Sequence, residues 1–91
     1  MTVYYVTHIR VDGPDNDCRI DRLKGYDTNG REWADSLDGI IKLVKAEWDF
    51  RTNHNGVSER IGVWVSSAGR EYLKTYANGR WTDNLEALPR F

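Results

Sequence analysis

Few residues in this chain combine the types and spacing that enzyme or metal chemistry requires. Its two histidines, His8 and His54, lie far apart, and neither belongs to an H-x-x-x-H or H-E-x-x-H motif of the kind that binds zinc. Cys18 is the only cysteine, so the chain by itself can close neither a disulfide nor a thiolate cage around a metal. The sequence therefore predicts no metal site and no bound cofactor.

Nucleophilic and acid–base catalysis have equally little support. No serine stands in a nucleophile elbow, and the glycines form no phosphate-binding loop. The acidic stretch from Asp12 to Asp17 lacks the glutamate that completes a calcium loop of the EF-hand type. The remaining acid–base candidate combines His8 with Asp21 or Asp27, and no spacing supports it. We therefore predict no catalytic residues, and an enzyme with an unrecognised site stays an alternative.

Aromatic residues are the most distinctive feature, with four tryptophans and five tyrosines. Most are expected in the core, because large rings let a short chain bury much area. Trp64 alternates with Ile61, Val63 and Val65, so it is expected on the opposite sheet face. Exposed there, it can stack on a base, a proline or a second subunit, unless the C-terminal segment covers it. Trp64 is therefore a candidate binding residue.

Four polar residues form a second candidate binding group, namely Arg10, Tyr26, Asp83 and Asn84. Packing gives no evident reason for an arginine at the end of a central strand, or for Asp83-Asn84 just before an apolar pair. Capping of a helical turn is the structural alternative for Asp83. In the binding interpretation, the Asp83 carboxylate anchors Arg10 beside a ligand groove.

Charged residues are balanced and interspersed, with 13 basic and 14 acidic side chains and a net charge of −1. Because phosphate neutralisation supplies most non-specific affinity for nucleic acid, this balance argues against a nucleic-acid partner. A small nucleic-acid or nucleotide binder stays an alternative. Its cations would be Arg60, Arg70, Lys74 and Arg80, and its stacking surfaces Trp64, Tyr76 or Trp81.

Turn signals divide most of the chain into strands. Asn-Gly occurs at Asn29-Gly30, Asn55-Gly56 and Asn78-Gly79, and such pairs favour the tight turns of β-hairpins. The segments between these turns, rich in β-branched and aromatic residues, are strand candidates. They are residues 3–10, 18–27, 31–34, 50–53, 57–65 and 70–76. These features predict an α+β fold with a small antiparallel β-meander of about five strands.

One segment has helical periodicity instead, and it begins at Leu37 with Asp35 or Ser36 as the cap. Its expected apolar stripe is Leu37, Ile40, Ile41, Val44 and Trp48. Asp38 near the start and Lys42 and Lys45 near the end have the charge order that favours the helix dipole. We expect this helix to pack on one sheet face, and a short helical turn to follow Thr82 or Asp83 until Pro89.

Several segments form a recognisable set: Val6-Thr7-His8-Ile9-Arg10, the stretch from Ile20 through Gly25-Tyr26-Asp27 to Trp33, Tyr72-Leu73-Lys74-Thr75, Thr82-Asp83-Asn84-Leu85 and Leu88-Pro89. Together they resemble an uncharacterised bacterial family, domain of unknown function 3892. The resemblance spans nearly the whole chain, although Phe91 stands where the family is expected to have a small residue. It implies domain boundaries and no activity.

The composition, with 40% hydrophobic and 30% charged residues, is that of a soluble single domain covering residues 1–91. With no secretory signal and one cysteine, a cytoplasmic location is expected, and no membrane partner. The favoured function is a noncatalytic binding or protein-interaction module. Its partner would be another protein or a second copy of the chain, joined through a sheet edge or the face of Trp64.

Overall fold

The structure, a computed structural model, describes residues 2–12, 19–54, 56–82 and 84–91. Cys18 lies outside the described residues. Seven strands and one helix form along the chain. They are β1 (Val3–Asp12), β2 (Arg19–Asp27), β3 (Glu32–Ser36), α1 (Leu37–Lys45), β4 (Asp49–Thr52), β5 (Arg60–Val65), β6 (Glu71–Ala77) and β7 (Arg80–Thr82).

All seven strands belong to one sheet in the order β3-β2-β1-β4-β5-β6-β7. Two antiparallel meanders, β1 to β3 and β4 to β7, are joined by a parallel pair between β1 and β4. The prediction of an antiparallel meander of about five strands is therefore wrong, since the chain is mostly β-structure in a mixed sheet. The cause is the α1 segment, which works as the crossover that a parallel pair requires.

The hydrophobic core lies on the face of the sheet that α1 covers. Alternate residues of the strands point into it, as the two-residue period of a strand requires, except where β-bulges between Val6 and His8 and between Arg10 and Val11 shift the register of β1 with β2. The helix adds Ile40 and Ile41, and its main contacts are with β2 and β3 on one side and β5 and β6 on the other. The buried hydrophobic residues are Val6, Ile9, Ile20, Leu23, Ile40, Ile41, Phe50, Ile61, Leu73, Leu85 and Leu88.

The start of α1 confirms the predicted cap. The Ser36 side chain accepts a hydrogen bond from the Gly39 backbone N–H at 3.2 Å, and Asp38 lies in the first turn with Lys42 and Lys45 in the last. Such a cap satisfies one of the helix N–H groups that lack an intrahelical acceptor.

The end of α1 corrects the prediction for Trp48. Glu47 has a positive φ of 69°, and the N–H groups of Glu47 and Trp48 donate to Val44 and Leu43 carbonyls. This Schellman arrangement ends the helix at Lys45. Trp48 therefore lies beyond the helix, 43% exposed, with its ring stacked on Tyr4 at 5.2 Å.

The C-terminal segment returns to the middle of the sheet. Its turn over residues 84–87 is not helical, so the predicted helical turn is wrong, and Leu85 and Leu88 are each only 1% exposed. The Ile9 N–H donates to the Pro89 carbonyl at 3.0 Å, and the Phe91 N–H donates to the Ile9 carbonyl at 3.1 Å. The C-terminal segment thus pairs with β1 at Ile9, beyond Val6, which is the last β1 residue paired with β4.

Leu88→Ala tests whether this segment is part of the core. We expect a loss of about 2–5 kcal/mol in the free energy of unfolding, the usual cost of a buried leucine. Urea denaturation measures it. Val65→Ala is the matched control, because Val65 is 56% exposed and its truncation should cost less than about 0.5 kcal/mol. Equal small losses in both variants would show that the segment is not docked.

Gly25→Ala tests the closest approach of β1 and β2. A β-carbon at Gly25 would collide with the Tyr5 carbonyl, so the two central strands would have to separate. We expect a loss of at least about 4 kcal/mol, or no folded protein. Gly30→Ala is the control. Gly30 has a φ of 77° and no atom near that position, so only about 1–2 kcal/mol of backbone strain is expected. A folded Gly25→Ala protein of similar stability would contradict the strand pairing.

Candidate ligand-binding face

The sheet face opposite α1, which we call the open face, carries the other half of the alternating side chains. The register-paired strand residues of this face whose side chains are described include six basic and two acidic ones, a surplus of four positive charges. Asp21, at the β-bulge between Ile20 and Arg22, has no register partner and is counted on neither face. The basic residues are Arg10, Arg22, Lys24, Arg51, Arg60 and Lys74, and the acidic ones are Glu32 and Asp49. The sheet thus concentrates basic charge that the sequence shows only as an even mixture.

One row of side chains crosses the open face from edge to edge. Consecutive members lie opposite each other in adjacent strands, one from each of the seven. In sheet order the row is Glu32, Tyr26, Tyr5, Arg51, Arg60, Tyr76 and Trp81. Two arginines therefore stand between two aromatic pairs.

Arginines face each other at two places on this surface. Arg51 lies opposite Arg60, and Arg10 lies opposite Arg22. Like charges directly opposite one another in an antiparallel pair are destabilising. Among the described residues, neither Arg22 nor Arg60 has a carboxylate partner. Each arginine pair therefore includes one arginine, Arg22 or Arg60, whose charge no described carboxylate offsets.

Asp49 partly offsets the first of these pairs. Its two carboxylate oxygens accept hydrogen bonds from Arg51 Nε and Nη2 at 3.0 and 3.2 Å. These hydrogen bonds, with the attraction of the Asp49 charge, raise the pKa of Arg51 above its usual value despite partial burial. Arg51 is thus a fixed cation, and the Asp49 carboxylate is already engaged beside it.

Phe91 lies between the basic residues at the other end of β1. The Arg10 guanidinium is 4.8 Å from the centre of its ring, and Lys24 Nζ is 4.6 Å from it. Arg10 Nε also donates to the Phe91 carbonyl at 3.2 Å. The C-terminal segment therefore orients two cations of the open face by cation–π contact.

The two rings of each aromatic pair in the central row pack against each other, with interplanar angles of 34° for Tyr5–Tyr26 and 69° for Tyr76–Trp81. Tyr5 and Tyr26 have ring centres 5.5 Å apart, and the Tyr26 hydroxyl accepts a hydrogen bond from Asn53. Tyr76 and Trp81 have ring centres 5.2 Å apart and are 44% and 42% exposed. Gly62 leaves the space that the Trp81 ring occupies, since a β-carbon there would lie 3.1 Å from the ring.

Trp64 also lies on the open face, as its strand position predicts. Its ring centre is 5.9 Å from that of Tyr72, opposite it on β6, and 5.0 Å from Lys74 Nζ. All three residues line a groove of about 400 Å³ together with Ile20, Leu37, Ser66, Leu73 and Glu86, so this groove is shared with the helix side of the sheet. Trp64 is half-buried, so part of its ring is available to a partner.

Three of the predicted binding residues, Arg10, Tyr26 and Trp64, share the open face. Asn84 does not, because its backbone N–H donates to the buried Thr75 hydroxyl at 3.2 Å. Asp83 lies outside the described residues, so the structure does not place its carboxylate. Arg10 is four cross-strand pairs away from the level of Tyr26.

The sequence reasoning missed the residues at the centre of the face. Tyr5 and Arg51 become neighbours only through the parallel pairing of β1 with β4. Strand β4 has four residues, too few to show its own alternation. Strict alternation along β1 would put Tyr5 and Arg10 on opposite faces, and only the register shift between Val6 and His8 brings them to the same face, so the sequence carried no signal for this grouping.

The acid–base and metal hypotheses gain no support from the geometry. His8 lies opposite Lys24, whereas Asp27 lies opposite Tyr4 and accepts hydrogen bonds from the backbone of Asn29 and Arg31. Among the described residues, no group of three His, Cys, Asp or Glu side chains could hold a metal ion. In the same part of the chain, no helix is long and apolar enough to cross a membrane.

Fold and surface together define a small single-sheet β domain with one face covered by a helix and one basic, aromatic face left open. The chain belongs to the family described as protein of unknown function (DUF3892), whose model matches residues 5–89. This confirms the resemblance noted in the sequence. Neither the curated proteins nor the solved structures include a match.

Asp49→Asn tests the charge balance at the centre of the open face. This substitution removes the carboxylate beside two facing arginines. We expect a loss of roughly 1 kcal/mol in the free energy of unfolding at low salt, a modest value because Arg51 is partly exposed. Adding Arg60→Gln should recover most of the lost stability, as should high ionic strength.

Glu71→Gln is the matched control for this test, because it breaks the more exposed Lys45–Glu71 pair on the helix side. Glu71→Gln should lower the free energy of unfolding by less than Asp49→Asn does, and adding Arg60→Gln should not change that loss. If Arg60→Gln does not restore the stability of Asp49→Asn, the two central arginines do not repel each other measurably.

Proposed function

We propose that the chain is a noncatalytic binding domain whose open face takes an anionic partner. The observation that carries the proposal is the pair of facing arginine couples, Arg10 with Arg22 and Arg51 with Arg60, on a sheet face that no helix of the described residues covers. A bound anion offsets the repulsion within each couple, which the described carboxylates offset only at Arg51.

The arrangement of the surface supports binding more than catalysis. Its groups are cations and aromatic rings spread along a row. The contact of the Thr7 hydroxyl with His8 Nδ1 at 2.9 Å joins neighbouring residues, and among the described residues no carboxylate hydrogen-bonds the His8 ring. Such a surface attracts an extended partner electrostatically and excludes water from it with the rings. We place this function in the cytoplasm, since a chain with one cysteine must fold without an internal disulfide.

A protein partner, or a second copy of the chain, is the alternative occupant that sequence analysis favoured. The edge strands β3 and β7 have unpaired backbone groups on one side, which can add strands from another chain. The anionic interpretation is preferred because basic charge gathers on the broad face of the sheet rather than along either edge.

Retention on immobilised heparin, an anionic polymer without bases, tests the proposed function. We expect the wild-type protein to bind in about 50 mM salt and Arg22→Ala/Arg60→Ala to elute at a clearly lower salt concentration, because two unpaired cations are lost. Lys42→Ala/Arg70→Ala is the matched control. It removes the same charge from the helix side, where both residues line a separate groove with Asp38 and Ile41, and should elute like the wild type.

Thermal denaturation should show that both double variants remain folded. An unretained wild-type protein, or equal shifts in the two double variants, would contradict the proposal that the open face is the anion-binding surface.

A further inference from the structure

We infer that the anionic partner is a single-stranded nucleic acid, bound across the strands of the open face along its central row. This inference rests on the proposed function and specifies its ligand. It adds to the charge argument the six tyrosine and tryptophan side chains that share the face. They are Tyr5, Tyr26, Trp64, Tyr72, Tyr76 and Trp81.

The order of the row matches what such a ligand presents. Two aromatic residues, two arginines and two more aromatic residues follow one another in adjacent strands, from Tyr26 to Trp81. Adjacent strands are about 4.8 Å apart, so Tyr5 and Tyr76, which are three strand spacings apart, are separated by roughly 14 Å. Rings at both ends can stack bases while the arginines between them contact the connecting phosphates.

The exposure of the rings favours unpaired bases. Tyr76 and Trp81 are 44% and 42% exposed although they lie in strands, so each presents ring surface to the solvent. A base can stack on this surface only when it is not already stacked and paired inside a duplex. A double helix could contact the basic side chains of the open face, but its paired bases could not stack on the rings.

The shape of the face favours a polymer over a free nucleotide. The row is linear and crosses the whole sheet, and the cations continue away from it toward Arg10, Arg22 and Lys24. A mononucleotide would contact one ring and one arginine, whereas a strand of several nucleotides can use both aromatic pairs and both arginine couples. The expected ligand is therefore an extended single strand, read by stacking rather than by base-specific hydrogen bonds.

Removal of one ring without change of charge tests the inference. The probes are fluorescein-labelled single-stranded DNA and RNA of about 16 nucleotides, the upper range for one binding fold, and a duplex of the same sequence. We expect the wild type to bind the single strands more tightly than the duplex. Trp81→Leu should weaken single-strand binding about fivefold or more, the lower range for one stacked base, with heparin retention unchanged.

Trp48→Leu is the matched control, because Trp48 is 43% exposed against 42% for Trp81 and lies beyond the helix, stacked on Tyr4 of the core side. It should bind the single strands like the wild type. Ligand-induced quenching of tryptophan fluorescence should persist in Trp48→Leu and fall in Trp81→Leu. If Trp81→Leu does not fold, Tyr76→Leu replaces it with the same expectation.

The salt dependence supplies an independent measurement. Each phosphate contact with a single strand contributes about 0.7 to the slope of log affinity against log salt concentration. Arg22→Ala/Arg60→Ala should therefore reduce the slope by about 1.4, and Lys42→Ala/Arg70→Ala should leave it unchanged.

The outcomes separate the two proposals. If Trp81→Leu and Tyr76→Leu bind the single strands like the wild type while Arg22→Ala/Arg60→Ala binds them more weakly, the partner is a different anion. The inference then fails and the proposed function stands. If Arg22→Ala/Arg60→Ala also binds like the wild type, both fail. Light scattering that shows a wild-type dimer and a Trp81→Leu monomer would identify the face as a self-association surface and overturn the inference.

Discussion

The parallel pairing of β1 with β4 is the interaction on which the rest of the structure depends. It unites two antiparallel meanders, each too small to enclose a core, into one sheet of seven strands. It also sets the register that puts Tyr5 beside Arg51, and thereby joins the aromatic residues of the first meander to the arginines of the second. A different register would break the row at its centre. Because the pairing involves only four residue pairs, it relies on α1 and Phe50 to hold both meanders against one core.

A single short helix covers only one face of so wide a sheet, and this explains the character of the other. The buried side chains of the covered face are apolar apart from Thr52 and Thr75, and the C-terminal leucines complete that layer. The opposite face stays in water, yet it carries large rings instead of small polar residues. Cross-strand packing of rings stabilises a solvated face, and cation–π contacts such as that of Lys74 with Trp64 orient the basic side chains among them. The same contacts thus support the sheet and prepare its surface.

Local features of the fold could be predicted from the sequence, and pairings between distant segments could not. The Ser36 cap and the charge order of α1 follow from a few neighbouring residues, as do the Asn-Gly turns near Gly30 and Gly79. The prediction for Trp48 failed because its spacing continues the helical stripe, whereas Glu47 leaves the helix in a left-handed conformation that glutamate seldom adopts. The mixed sheet was missed because turn signals describe only strands joined by turns. On the open face, strand alternation alone predicted the position of Trp64, whereas the position of Arg51 beside Tyr5 depends on the parallel register of β1 and β4.

Whole-chain charge is a poor guide to the charge of a single sheet face here, for a reason that follows from strand geometry. A strand sends alternate residues to opposite faces, so two residues that are neighbours in sequence contribute to surfaces with different roles. A face can therefore collect Arg22, Lys24 and Arg60 while acidic residues elsewhere bring the total to −1. Since screening limits the reach of exposed charges to about 10 Å, a partner on the open face experiences the local surplus far more than the total. Charge summed over one sheet face is consequently the quantity that bears on binding.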